Sequence, residues 1–123
     1  MSNLNIGKFT SKFVSVTATS GGASGNVLYT CPNNYTGIVR YLHISNGDAQ
    51  KKITIQYYDS ASNSYDHIAN DFKPDANTIH DVIPGGAFLV LHAGDKLVCS
   101  KESGGVFDVT CSVEELYDPH HNN

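Results

Sequence analysis

His92, Asp95, Lys96 and Cys99 lie close together in the stretch VLHAGDKLVCSKES, Val90 to Ser103. A base, an acid, a cation and a thiol could serve acid–base or nucleophilic chemistry, provided their side chains converge. The same stretch alternates, however. Phe88, Val90 and His92 interleave with Leu89 and Leu91 before Ala-Gly-Asp, and Leu97 and Cys99 interleave with Val98 and Ser100 after it. That pattern predicts a hairpin, with Gly94 at positive φ and Asp95 accepting hydrogen bonds from nearby backbone amides. Asp95 is a turn residue before it is a catalytic one.

The remaining nucleophiles lack a catalytic setting. Cys31 precedes Pro32 at a strand end, Cys99 and Cys111 fall on inward positions, and the serines of GASG and DSAS have no strand–elbow–helix context. No catalytic residue is assigned, and the chain is read as non-enzymatic. His43, His67, His80 and His92 sit on separate predicted strands or at their ends, with no His-x-His pair among them. A small metal-dependent β-barrel built on these four is the competing enzyme reading; no metal ligand and no cofactor is assigned. His120 and His121 fall in a tail, and Asn34-Tyr35-Thr36, an N-glycosylation tripeptide, is read as a loop.

Three cysteines without a C-x-x-C pair argue against both a disulfide framework and a zinc knuckle. Counting outward from Ser-Gly-Gly at 103–105 makes Cys99 and Cys111 near cross-strand neighbours. A bridge between two of the three thiols is permitted in an oxidising compartment but is not required.

The elements that position these residues are strands. Phe107, Val109, Cys111 and Val113 alternate with Asp108, Thr110, Ser112 and Glu114, and Ile53, Ile55 and Tyr57 alternate with Thr54, Gln56 and Tyr58. Gly-rich turn formers recur at SGGASGN, NGD, PGG, AGD and SGG. They delimit about nine strands, near 10–19, 26–31, 37–45, 52–58, 65–70, 77–83, 86–92, 96–101 and 105–115. In the densest run, TGIVRYLHISN, strict alternation places Ile38, Arg40, Leu42 and Ile44 on one face and Val39, Tyr41 and His43 on the other. Arg40 then marks a sheet edge or an ion pair. Tyr57 and Tyr58, being adjacent, must point to opposite faces. The predicted fold is all-β, a single-domain antiparallel β-sandwich or jelly-roll-like barrel of about eight or nine strands. Residues 1–12 form an N-terminal arm, 13–117 the domain and 118–123 a flexible tail.

A chain of 123 residues fits one domain, and its net charge of -4 with scattered Lys and Arg excludes a phosphate-reading stripe, so no nucleic-acid partner is expected. No run approaches the ~20 apolar residues of a membrane span, and MSNLNIGKFTSKF lacks an apolar core of signal-peptide length. Seven tyrosines, more than the five phenylalanines, fit strand faces that meet other subunits or carbohydrate.

Between residues 27 and 116 the chain resembles a group of small virion proteins of tailed bacteriophages. The likeness lies in Tyr29, Thr30 and Pro32, the strand ending in Ser45-Asn46, and the paired strand with Ile53, Thr54, Ile55 and Tyr57. It continues in Leu91, Gly94, Asp95 and Leu97, and in the terminal Glu115-Leu116. The resemblance implies a structural β-sandwich assembled in the host cytoplasm and carried on the virion, either on the head as a decoration or cement protein or on the tail. It implies as partners the major capsid protein or other virion subunits and further copies of the chain, as a homotrimer, with an arm docked on a neighbouring subunit. It implies no catalytic residues. The alternative is a tail- or fibre-associated module that binds a receptor or carbohydrate through exposed tyrosines.

Overall fold

A computed structural model describes residues 7–83 and 86–119. Nine strands form where the alternating segments lie: β1 (Lys8–Ser15), β2 (Asn26–Thr30), β3 (Tyr35–Asn46), β4 (Ile53–Asp59), β5 (Ser64–Phe72), β6 (Ile79–Asp81), β7 (Leu89–Leu91), β8 (Lys96–Lys101) and β9 (Phe107–Tyr117). A single 3-10 turn spans Gly22–Ser24.

The strands build two antiparallel sheets. The first runs β1-β9-β3-β6, with β7 also paired to β3, and the second runs β2-β8-β4-β5. The chain passes between the sheets after β1, β2, β3, β5, β7 and β8, which is the doubly wound order of a jelly roll. The short strands β6 and β7 share one position, flanking opposite ends of the long β3. The all-β sandwich expected from the alternation is therefore the fold, in its jelly-roll form.

The core fills the space between the sheets. Val39, Leu42, Ile44, Leu91, Val109, Cys111 and Val113 from the first sheet meet Leu28, Ile53, Ile55, Leu97 and Cys99 from the second, each no more than 5% exposed. Leucine-sized side chains buried this fully contribute roughly 1.5–3 kcal/mol apiece, so this one layer carries most of the stability.

Four sequence expectations change once the sheets are in place. β7 belongs to the first sheet and β8 to the second, so the Ala-Gly-Asp turn is a crossover between sheets and not a hairpin. For the same reason Cys99 and Cys111 are not cross-strand neighbours. They face the core from opposite sheets, and all three cysteines are free thiols. A β-bulge between Val39 and Tyr41 breaks strict alternation in β3, so Val39, Leu42 and Ile44 face inward while Ile38, Tyr41 and His43 face outward. Finally, β1 begins at Lys8, inside the segment 1–12 expected as an arm, and pairs with β9 along its length. Residues 1–6 of that arm, and His120, His121 and the two asparagines of the expected tail, lie outside the described residues.

Candidate functional site

The cluster around Asp95 is architectural. Its carboxylate, 2% exposed, accepts hydrogen bonds from the Tyr57 hydroxyl (2.7 Å), the Ser60 amide (2.9 Å) and hydroxyl (3.1 Å), and the His92 amide (2.9 Å). Burial pushes the carboxyl upward, but those donors outweigh it and hold the group below the usual aspartate range. All its oxygen valences go to closing the β7–β8 crossover and tying it to β4. Tyr57 points inward to reach Asp95, and Tyr58 points outward, as adjacency on a strand demands.

A second buried network joins the sheets at the same end. The Tyr29 hydroxyl donates to Glu115 Oε2 at 2.6 Å, and Lys8 Nζ lies 3.6 Å from the other carboxylate oxygen. Burial and the bonded carboxylate both disfavour ionising Tyr29. Cys31 packs beside it, its Sγ 3.3 Å from the Tyr35 carbonyl, and burial raises its thiol to about 11. Burial likewise raises Cys99 to about 12 and Cys111 to about 11. Such thiols are poor nucleophiles at neutral pH.

The histidines do not converge. His43 lies on the outer face of the first sheet, stacked on Tyr41 at 3.8 Å and 3.5 Å from Asp81. His67 lies on the second sheet, His80 packs against Phe72 at 4.4 Å, and His92 sits in the crossover turn. Among the described residues no three His, Cys, Asp or Glu side chains come together to hold a metal ion.

Two surfaces stand out instead. The outer face of the first sheet carries an apolar and aromatic row set by strand register: Phe9 lies opposite Glu114, which lies opposite Ile38, which lies opposite Val90. Two rungs along β9, Phe13 lies opposite Thr110 and His43, with Ser11, Ser112 and Tyr41 between. Phe9 is 76% and Phe13 63% exposed, far more than an isolated fold needs of its largest side chains. Arg40, thrown outward by the bulge, bonds Glu114 at 3.2 Å and lies over the ring of exposed Phe88. The ion pair anticipated for Arg40 is present, on a strand paired along both sides. Sequence reading set Phe9 aside in an arm, because residues 1–12 precede the segment that carries the family resemblance.

The second surface is a polar cleft of about 450 Å3 on the outer face of the second sheet. Register places Thr54 opposite Ser100, and Gln56 opposite both Val98 and His67, so these side chains share one face. The segment SGGASG forms a wall over that floor. Asn26 Oδ1 accepts from the Thr17 and Ala18 amides, and the Ala18 carbonyl accepts from Lys101 N, which pins the wall to β8. Gly21 passes so near the floor that a Cβ there would lie 2.7 Å from Gln56 Oε1, and one at Gly25 would lie 2.4 Å from a Val98 methyl. Sequence reading took these glycines as a turn; close approach to a sheet is what they supply.

Comparison of the chain with protein-family models, with curated proteins and with solved structures gives no match.

Proposed function

We propose that the protein is a non-enzymatic structural protein of a tailed-phage virion, a decoration or cement protein that binds the head shell as a homotrimer. The observation that carries this reading is the outward row Phe9, Phe13, Ile38, Tyr41 and Val90 on a jelly-roll sheet. Two phenylalanines on a strand that is at the sheet edge among the described residues combine backbone groups unpaired there with apolar area, the combination a further protein surface would cover. The occupant is shell protein or a second copy of the chain. Repetition over a symmetric shell multiplies modest contacts, so each copy need bury little area. Three buried, unbridged thiols suit assembly in a reducing cytoplasm. Electron microscopy of particles made without the protein is the test: loss of surface density on the head is the expected result. A normal head beside an altered tail would move the protein off the shell and end the decoration reading.

A further inference from the structure

Gln56 and Ser100 are 8% and 7% exposed, and both line the polar cleft of the second sheet. Gln56 Oε1 is used, accepting the Gly22 amide at 2.8 Å. Its Nε2 and the Ser100 hydroxyl have no protein partner among the described residues, and neither do the His67 and Asn70 side chains at the rim. A side chain more than nine-tenths buried and lacking a partner is costly unless something in the cleft bonds to it. The remaining lining narrows what that is. The lining holds Lys52 and Lys101 beside Asp71 and Glu102, and Lys101 Nζ is committed to the Gly105 carbonyl, so no cluster of free cations is there to select a phosphate. Glu102 is further committed to the Lys52 amide at 2.9 Å, and Asp71 to Thr54. Next along the same face the Tyr58 and Tyr65 rings, 4.7 Å apart, continue the floor beyond the Gln56–His67 rung. Lys96 Nζ stands 5.3 Å over one face of the Tyr58 ring. Amide and hydroxyl groups without a cationic cluster, bordered by aromatic rings, match the alternating hydroxyls and C–H faces of a pyranose.

We infer that this cleft is a binding site for a neutral saccharide, with Gln56 Nε2, Ser100 Oγ, His67 and Asn70 bonding ring hydroxyls and the Tyr58–Tyr65 pair bordering the next sugar. The cleft lies on the sheet opposite the Phe9–Phe13 face, so the inference does not depend on attachment to a shell. Because the wall is pinned by Asn26 and by the Lys101–Ala18 bond, little ordering is left for the ligand to impose.

The test is amide NMR titration of the full chain with neutral and N-acetylated disaccharides, and in parallel with long polysaccharides carrying the same units. Saturable shifts at Gly22, Gln56, His67, Asn70 and Ser100 are expected. The exposed double variant His67→Ala, Asn70→Ala should weaken binding by about tenfold or more, with its spectrum otherwise folded. Phe9→Ser with Phe13→Ser should leave binding unchanged. Equal response to short and long probes would identify a free sugar as sufficient, and response to the polymer alone a surface polysaccharide. No saturable shift with any probe, shifts confined to the β1 face, or full affinity in the cleft variant would each overturn the inference. Particle attachment that survives in the cleft variant separates this result from the decoration reading.

Discussion

At the residue scale the telling groups are buried and polar. Asp95 serves four donors at once, and the Ser60 and His92 amides in particular turn to its carboxylate, while the Ser60 and Tyr57 hydroxyls share it with the Ala93 and Val90 carbonyls. Asp95→Asn is expected to cost about 1–3 kcal/mol in chemical denaturation at neutral pH, since an amide presents donors where acceptors are needed. The pH dependence follows from the lowered folded value. That contribution is present above the unfolded aspartate range, about pH 4, and is lost as pH falls through the folded value, so the gap between wild type and variant should narrow only in acid. The thiols yield a second expectation. Cys31, Cys99 and Cys111 should resist alkylation in the native protein and react on unfolding, and Cys111→Ala should weaken folding by roughly 1–2 kcal/mol through a lost core contact. Rapid native labelling of Cys111 would contradict its burial.

At the element scale the crossover between β7 and β8 joins a positive φ to a close contact at one residue. Gly94 holds φ at 88°, and a Cβ there would approach Ser60 Oγ to 2.9 Å, inside the Asp95 network. Gly94→Ala is therefore expected to destabilise by about 1–3 kcal/mol through backbone strain, with further cost from displacing Ser60. Gly104, at φ 87°, has only the end of Lys51 within reach of a Cβ, so Gly104→Ala isolates the strain from the contact. Thermal melts of the two variants side by side measure the difference, and an equal loss would remove the role given to Ser60. The β3 bulge works at the same scale. By inserting one residue it turns Arg40 and Tyr41 outward and Leu42 back inward, which gives the apolar face its charged centre.

For the whole molecule, the two sheets divide the labour. The first presents apolar area on its outer face and the second a walled polar cleft, with one shared core between them. Phe9→Ser with Phe13→Ser should change stability by less than about 0.5 kcal/mol, because both rings stand mostly in solvent. On the proposed decoration role, the same variant should lose attachment to heads that lack the native protein, and should sediment as a smaller species if the face also joins copies of the chain. Retained attachment with unchanged sedimentation would show that the face is not the interface.

Local periodicity determined much of this protein. Alternation and glycine-rich punctuation located all nine strands to within a few residues, and the inward set Ile53, Ile55, Leu97, Cys99, Val109, Cys111 and Val113 follows from the two-residue period of a strand. Asp95 as a turn acceptor was legible too, because a short carboxylate after glycine bonds nearby amides whichever sheet follows. Which sheet follows was not legible. A turn of the same residues can fold two strands side by side or carry the chain across a sandwich, and the choice depends on partners distant in sequence: β7 on β3, β8 on β2 and β4. The bulge at Arg40 is likewise invisible to strict alternation, since only pairing with β9 reveals the extra residue. The polar cleft belonged wholly to tertiary structure, because its wall at Gly21 and its floor at Gln56 and Ser100 are brought together by packing of distant segments that no local pattern encodes.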